Sequence, residues 1–210
     1  MSKNISGSLK TPPPTSEPKM QDPYIQDKTF SRNDFTKDPL AKGEYESCTF
    51  ESCNFTSTNL SGFRFIDCEF SGCNLSLANL EKTTLRDVKF KGCKMLGLRF
   101  DTCNEFGLSL SFDGCQLNHS SFFGIKIRMT VFRDSQLQET DFAECDLSGA
   151  VFDNCNLCQA VFDNTILEKT DLRTSCGYSI DPEVNRIRKA KFSLAGIPGL
   201  LSKYDIEIER

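Results

Sequence analysis

The sequence predicts an all-β solenoid, in which short extended segments joined by turns coil around a continuous apolar core. Three observations support this fold class. Large apolar side chains recur at every fifth residue, small side chains precede them by two residues, and mostly polar residues or Gly fill the remaining places. A period of five residues fits neither the 3.6-residue turn of an α-helix nor the two-residue alternation of a simple strand. A coil of short strands and turns, with small and large residues inside, satisfies the pattern.

The repeat runs in two stretches whose registers differ by two residues. The first stretch runs from Phe30 to Phe100 and has a large apolar residue at all 15 of its fifth positions. The second runs from Phe112 to Leu172 and has one at all 13, so 14 of the 18 Phe residues belong to the repeat. We expect these side chains to form a core ladder, whose central phenylalanines are Phe50, Phe55, Phe65, Phe70, Phe90, Phe100, Phe112, Phe122, Phe132, Phe142, Phe152 and Phe162.

The register changes within residues 101–111. Phe106 lies six residues from each neighbouring ladder position, which predicts two single-residue bulges. Bulges often re-aim side chains near functional surfaces, whereas an insertion tolerated at a corner is the alternative reading. Phe63 occupies a position that elsewhere holds a small residue and predicts a local widening of the coil.

The two ends of the chain lack the regular repeat. Residues 1–28 are rich in Ser, Pro and Lys and predict a disordered tail without the apolar stretch of a secretory signal. Residues 29–172 form the predicted solenoid, and residues 173–210 the last part of the coil and a C-terminal cap. The repeat returns in phase at Ile187 and Phe192.

A cap is required because a solenoid exposes its last coil. Ser193 suits a helix N-cap, and a helical cap follows with Ile197, Leu200, Leu201 and Tyr204 on one face. The final "YDIEIE" alternates like a short strand. The apolar face of the cap is a candidate dimerisation element.

The repeat resembles that of the pentapeptide-repeat family, in segments such as "CNFTS", "CNLSL", "TDFAE" and "CDLSG". The resemblance implies a right-handed quadrilateral β-helix with four pentapeptides per coil. The 28 ladder positions then give about seven coils, which at ~4.8 Å per coil make a stack of about 34 Å. In the quinolone-resistance (Qnr-type) members that this chain resembles, a C-terminal helix forms a homodimer and the rod is believed to meet type II topoisomerases as a mimic of DNA. Several of those members need long projecting loops, which this chain lacks, so quinolone protection does not follow directly.

The formal net charge of −4 conceals two charged stretches. Residues 82–99 carry six basic residues against one acidic residue, whereas residues 134–168 carry eight acidic residues and no Lys or Arg. The acidic stretch predicts a partner surface that could replace DNA on a topoisomerase such as DNA gyrase; a solvated face on a scaffold with an unrelated protein partner is the alternative. Its members are Asp134, Glu139, Asp141, Glu144, Asp146, Asp153, Asp163 and Glu168.

Other classes of function find no support in the sequence. With one His and no pairing of a nucleophile with a base, no catalytic residue, metal ligand or cofactor motif stands out, and we expect neither an enzyme nor a small-molecule substrate. No run of 18 apolar residues predicts a membrane span, and the acidic balance argues against direct binding of nucleic acid. Eight of the 11 Cys occupy the small inward position, which predicts reduced, core-filling thiols in a cytoplasmic protein.

Overall fold

Two parallel sheets and the turns between them build the predicted solenoid. The computed structural model describes residues 22–209. All strands within this range are three or four residues long, as expected for the sides of a coil that turns every five residues. They are β1 (Tyr24–Gln26), β2 (Thr29–Ser31), β3 (Glu44–Glu46), β4 (Thr49–Glu51), β5 (Arg64–Ile66), β6 (Glu69–Ser71), β7 (Thr84–Arg86), β8 (Val88–Lys91), β9 (Leu110–Asp113), β10 (Val131–Arg133) and β11 (Val151–Asp153).

Each strand pairs with a strand one coil away. The order β1-β3-β5-β7 makes one sheet, and β2-β4-β6-β8-β9-β10-β11 makes the other. Phe30 pairs with Phe50 and Phe50 with Phe70, so a coil has 20 residues, or four pentapeptides. The seven strands of the longer sheet span six turns, and a parallel bridge between Val151 and Asp171 continues the stack into a seventh.

Four sides of the coil can be named by their inward residues. Side 1 carries Phe112, Phe132 and Phe152, and the longer sheet runs along it. Sides 2, 3 and 4 follow in chain order, and one coil shows their inward residues as Leu137, Phe142 and Leu147. The shorter sheet lies on side 4, and isolated parallel bridges join the coils elsewhere.

The core is a ladder of stacked rings. All twelve central phenylalanines named from the sequence are buried, with at most 7% of their surface exposed. Phe132 stacks on Phe112 and Phe152 at centroid distances of 5.0 and 4.8 Å, and meets Phe122 edge-on at 5.9 Å and 90°. Stacked and edge-to-face contacts are both favourable aromatic geometries. Rings therefore contact one another both along the stack and across the core.

Many of the small inward positions hold a side chain that donates a hydrogen bond, while others hold Ala, as at Ala150 and Ala160. The Cys93 thiol donates to the Phe70 carbonyl oxygen at 3.3 Å, and the Thr165 hydroxyl donates to that of Phe142 at 2.9 Å. Nine of the 11 Cys are buried, and all 11 are free thiols. Burial raises the pKa of the Cys68 thiol to about 12, which keeps it protonated and unreactive at neutral pH.

Most corners of the coil place a residue in the left-handed region. This residue usually comes two positions after the large inward one, as at Lys82, Glu139 and Lys169, with φ of 56°, 55° and 62°. Only Gly, Asn and Asp adopt this conformation readily, which accounts for much of the polar and Gly content of the repeat. The same corner accepts Lys and Glu.

The register change is one two-residue insertion, and the predicted pair of bulges is wrong. Thr84 still pairs with Asn104 at a spacing of 20, but Val88 pairs with Leu110 at 22, so the extra residues lie within 105–109. Phe106 does not enter the core, and 87% of its surface is exposed. Leu108 packs against the core instead. Phe63 is buried beside Phe65 at a ring distance of 5.9 Å, and the coil keeps its 20-residue register there.

Both ends differ from the sequence expectation. β1 lies inside the segment predicted as a tail, while residues 1–21 of that segment fall outside the described residues. The cap is helical, but it consists of two 3₁₀ helices, Leu194–Leu200 and Ser202–Tyr204. Pro198 and its glycine neighbours disfavour an α-helix. The Ser193 hydroxyl caps the first helix by accepting the Gly196 N–H at 3.1 Å, and the predicted strand in "YDIEIE" does not form.

The cap is fastened to the last coil by close contacts and charges. A Cβ at Gly199 would lie 2.3 Å from the Tyr178 carbonyl oxygen, so only glycine permits this approach. The Ile180 N–H donates to the Gly199 carbonyl at 2.9 Å. Lys203 forms ion pairs with Asp181 at 2.8 Å and Glu183 at 2.6 Å.

Replacing Phe122 with Ala should strongly destabilise the solenoid. Phe122 is fully buried and stacks on Phe100 and Phe142, so the change leaves a cavity and costs about 3–5 kcal/mol in the free energy of unfolding. Urea denaturation followed by circular dichroism measures this loss. The adjacent Phe123→Ala variant is the matched control, because Phe123 is 46% exposed. Equal losses for the two variants would contradict the assigned ladder.

The contact between cap and coil should weaken in acid. The hydrogen bonds from Lys203 lower the pKa of Asp181 and of Glu183. Groups with a lowered folded-state pKa stabilise above their unfolded pKa, near 4, and lose that effect as pH falls through the folded value. Protection of the Ile180 amide from hydrogen exchange should therefore fall below about pH 4. A Lys203→Met variant should lack this step; an identical pH profile for variant and parent would refute the proposed linkage.

Candidate functional site

The eight carboxylates of the acidic stretch are spread around the rod. Because one coil uses 20 residues, a charged stretch of 35 residues must visit every side. Five of the eight lie on a side of the coil: Asp153 on side 1, Asp141 and Asp163 on side 3, and Asp146 and Glu168 on side 4. The other three lie at corners: Asp134 follows side 1, Glu139 follows side 2, and Glu144 follows side 3.

Three of these carboxylates are paired with arginines from outside the acidic stretch. Arg128 contacts Asp146 at 2.6 Å, Arg186 contacts Glu168 at 2.6 Å, and Arg133 lies 3.5 Å from Asp153. These arginines come from neighbouring coils or positions, so a count along the sequence misses them.

Asp146 does not belong to an exposed partner surface. Only 4% of its surface is exposed, and it accepts hydrogen bonds from Arg128 and Ser148. Burial acts to raise its pKa, but the Arg128 and Ser148 hydrogen bonds outweigh burial and lower it. Asp146 is therefore a structural anion, and its inclusion in the predicted partner surface is wrong.

The remaining five carboxylates have no Lys or Arg partner among the described residues. Asp134 accepts a hydrogen bond from the Asn154 amide at 2.6 Å, and Glu139 lies 3.3 Å from the imidazole of His119. Four of the five flank or lie on side 3, and we call them the acidic patch: Glu139, Asp141, Glu144 and Asp163.

Two apolar side chains are exposed on side 3 beside the acidic patch. Phe123 and Val161 are 46% and 47% exposed, and Val161 forms a parallel bridge with Asp141. Side 3 of these coils thus combines negative charge with apolar surface, as protein-binding surfaces often do.

The predicted basic stretch is partly neutralised. Lys91 pairs with Glu69 at 2.7 Å, Arg99 with Asp101 at 2.6 Å, and Lys82 with Glu81 at 3.2 Å. The other three members, Arg86, Lys89 and Lys94, lie on sides 4, 1 and 2 and form no ion pair with a described carboxylate. They are spread over three sides and do not form one surface.

A second basic feature lies on side 4 of the last coils. Lys169, Arg188 and Lys189 line a cleft of about 210 Å³ together with Glu168, and we call these three cations the basic cleft. Glu168 forms its ion pair with Arg186. Among residues 22–209, the three cations of the cleft form no ion pair with a carboxylate. Lys169 in "EKTDLR" and Lys189 in "RIRKAK" are 20 residues apart, so the length of one coil could have predicted from the sequence that they are neighbours.

The cap presents an apolar groove toward the end of the rod. The cap groove is a cavity of about 850 Å³ lined by six apolar residues and one carboxylate, namely Leu194, Ala195, Ile197, Pro198, Leu201, Ile208 and Glu209. Leu194 is 90% exposed, far more than a cap that only covers a coil requires. Of the predicted cap residues, Ile197 and Leu201 line this groove, Leu200 packs against the core, and the Tyr204 hydroxyl donates to Glu183 at 2.9 Å.

No other kind of site stands out between residues 22 and 209. The described side chains include no group of three or more His, Cys, Asp or Glu placed to hold a metal ion. Within the same range, no helix has the length and apolar character needed to cross a membrane.

Comparison with known proteins identifies the repeat. Two family models match, one described as a pentapeptide repeat region over residues 44–110 and one as pentapeptide repeats (8 copies) over residues 115–153 and 135–176. Among curated proteins, none matches significantly.

Solved structures of repeat proteins are similar to the chain. A trypsin-treated single-residue variant of QnrB1, a plasmid-mediated fluoroquinolone resistance protein, is 18% identical, with 89% of this chain and 97% of that one covered and a TM-score of 0.44. HetL, a pentapeptide repeat protein involved in heterocyst differentiation regulation in the cyanobacterium Nostoc sp. strain PCC 7120, is 14% identical, with 83% and 90% covered and a TM-score of 0.35.

Proposed function

Because this chain belongs to the pentapeptide-repeat family, we propose that it is a non-enzymatic scaffold of the cytoplasm that binds a type II topoisomerase such as DNA gyrase. In this proposal the acidic patch takes the place of DNA on the enzyme and alters its activity or its sensitivity to fluoroquinolones. A scaffold with an unrelated protein partner is the alternative.

The density of unpaired negative charge supports the proposal. The four carboxylates of the acidic patch occupy two successive coils, or about 10 Å of the rod axis. That is about one charge per 2.5 Å, of the same order as the one charge per ~1.7 Å of duplex DNA. Carboxylates on a rigid rod can therefore attract a basic DNA-binding surface at a strength that falls with salt.

The limited extent of the negatively charged surface favours the alternative, a scaffold with an unrelated protein partner. The basic cleft lies in the last coils, so the acidic surface does not continue to the cap end of the rod. A partner that contacts both charges would need a mixed surface, which differs from a uniform DNA-binding groove.

The proposal includes a homodimer formed through the cap groove. Leu194, Ile197 and Ile208 expose apolar surface at one end, and burying such a surface against a second copy is favourable. Two stacks end to end would make a rod of about 70 Å.

Reversal of the acidic patch should abolish any effect on gyrase. Supercoiling by gyrase is measured with increasing amounts of the protein, with and without a fluoroquinolone, at two salt concentrations. We expect inhibition or drug protection at micromolar protein that weakens at higher salt, and its loss in a Glu139→Lys, Glu144→Lys, Asp163→Lys variant. Lys fits the first two positions, since Lys82 and Lys169 adopt the same corner conformation.

The matched control places the same charge change elsewhere on the rod. Glu51, Asp67 and Asp87 are exposed residues of the N-terminal half, and their joint replacement by Lys should leave the effect intact. If neither inhibition nor protection occurs with the parent protein, or if both triple variants lose it equally, the topoisomerase proposal fails.

Dimerisation should depend on the apolar cap surface. Leu194→Glu places a charge at a residue that is 90% exposed in one chain, so the fold is preserved while the interface is disrupted. Multi-angle light scattering should report a dimer for the parent and a monomer for the variant. Leu77→Glu, at a corner remote from the cap, is the control, because Leu77 is 64% exposed. A monomeric parent would contradict the dimer.

A further inference from the structure

The basic cleft is an uncompensated feature of the fold. Some cations on side 4 are neutralised by a carboxylate, as Arg64 is by Glu44 and Arg128 by Asp146, whereas the basic cleft gathers three cations that are not. Lys169 and Lys189 occupy the same corner one coil apart, and stacked like charges disfavour each other. The one carboxylate that lines the cleft, Glu168, is bound by Arg186, so the cleft keeps an excess of positive charge that an external anion would stabilise.

The surroundings of the cleft favour a short acidic peptide over nucleic acid. No aromatic side chain lines the cleft, whereas strands of nucleic acid are usually held by bases stacked on aromatic rings. A long polyanion would also run along the acidic patch, which lies on the adjacent side of the same and preceding coils. A segment of a few residues would avoid that repulsion.

The chain contains such a segment at the same end of the rod. Residues 205–209 read "DIEIE", with three carboxylates at alternate positions. All five residues are exposed, and Asp205, Glu207 and Glu209 form no ion pair or hydrogen bond with a described residue. The segment follows the cap directly, and the basic cleft ends at Lys189, five residues before the cap begins at Leu194.

Alternation gives the segment two different faces. In an extended conformation the three carboxylates point to one face, about 7 Å apart, and the two isoleucines to the other. Ile206 and Ile208 are 54% and 50% exposed, and Ile208 lines the cap groove. An alternating segment with no partner strand in its own chain is suited to pairing with another chain.

We propose that the basic cleft binds residues 205–209 of a second copy of this chain. The inference rests on the proposed cap-to-cap dimer and adds to it a reciprocal exchange, in which each C-terminal segment crosses to the cleft of its partner. Carboxylates of one copy would neutralise Lys169, Arg188 and Lys189 of the other.

Two charge-reversed variants of the full chain test the exchange. The cleft variant carries Lys169→Glu and Lys189→Glu, and the tail variant carries Glu207→Lys and Glu209→Lys. Sedimentation equilibrium should show that each variant alone dimerises about tenfold or more weakly than the parent, since like charges then face each other. The loss should shrink as salt rises.

Mixing the two variants gives the decisive result. In a mixed dimer, the acidic cleft of the cleft variant faces the basic tail of the tail variant. The basic cleft of the tail variant faces the acidic tail of the cleft variant. Both contacts are therefore between opposite charges. Dimerisation should therefore return to about the parental strength. A Glu46→Lys, Glu51→Lys variant, with the same charge change far from the cap, should dimerise like the parent. Native mass spectrometry distinguishes mixed from like dimers by their masses.

Three outcomes would overturn the exchange. If the variants dimerise like the parent while Leu194→Glu does not, the cap dimer stands and the exchange fails. If each variant is weakened but the mixture is not restored, the segment binds the cleft of its own chain. If the parent is monomeric at all concentrations, both the dimer and the exchange fail, with no bearing on the gyrase assay.

Discussion

Stacking of inward side chains at 20-residue intervals is the constraint on which the rest of this molecule depends. Each coil offers the next a ring, such as Phe132 beneath Phe152, and a carbonyl oxygen to which a small residue can donate, as the Cys155 thiol does to that of Phe132. A hydrogen bond to a buried carbonyl is favourable, which favours Cys, Thr and Ser at many of the small positions. The same repeat therefore supplies both the apolar ladder and the donors to buried carbonyl oxygens.

The same constraint decides what the surface can do. Residues five apart in sequence lie on successive sides of the rod, while residues 20 apart share one side. A run of charged residues along the sequence is therefore distributed around the rod. A partner that binds one side contacts residues that lie about 20 positions apart in sequence. Asp146 illustrates the effect, because its partner Arg128 precedes it by nearly one coil and the predicted surface charge is a buried carboxylate covered by an exposed arginine.

The sequence was sufficient for the coil and insufficient for its departures. A strict period with large residues at 15 places in one stretch and 13 in the next leaves few folds that bury them all, and the structure is the expected solenoid. The exposed Phe106 could not be predicted, because hydrophobicity alone assigns phenylalanine to the interior and the placement of the insertion depends on which residue, here Leu108, fills the core. The sequence predicted a helical cap but not its 3₁₀ form, because the spacing of Ile197, Leu200 and Leu201 indicates only a helical face, and the need for Gly199 depends on the close approach of Tyr178. The basic cleft was also overlooked, because its cations lie on two successive coils and are brought together only by the stacking of those coils.

The 20-residue register also has a kinetic consequence. Partners within the core are separated by about a tenth of the chain length, a low contact order for an all-β protein. Ordering one coil creates the template for the next, so folding can begin at several places and spread in both directions. Unfolding then proceeds most easily from an end, where a coil has only one neighbour. The bonds from Gly199 and Lys203 to the final coil act at that end, and they govern how long the rod resists unzipping.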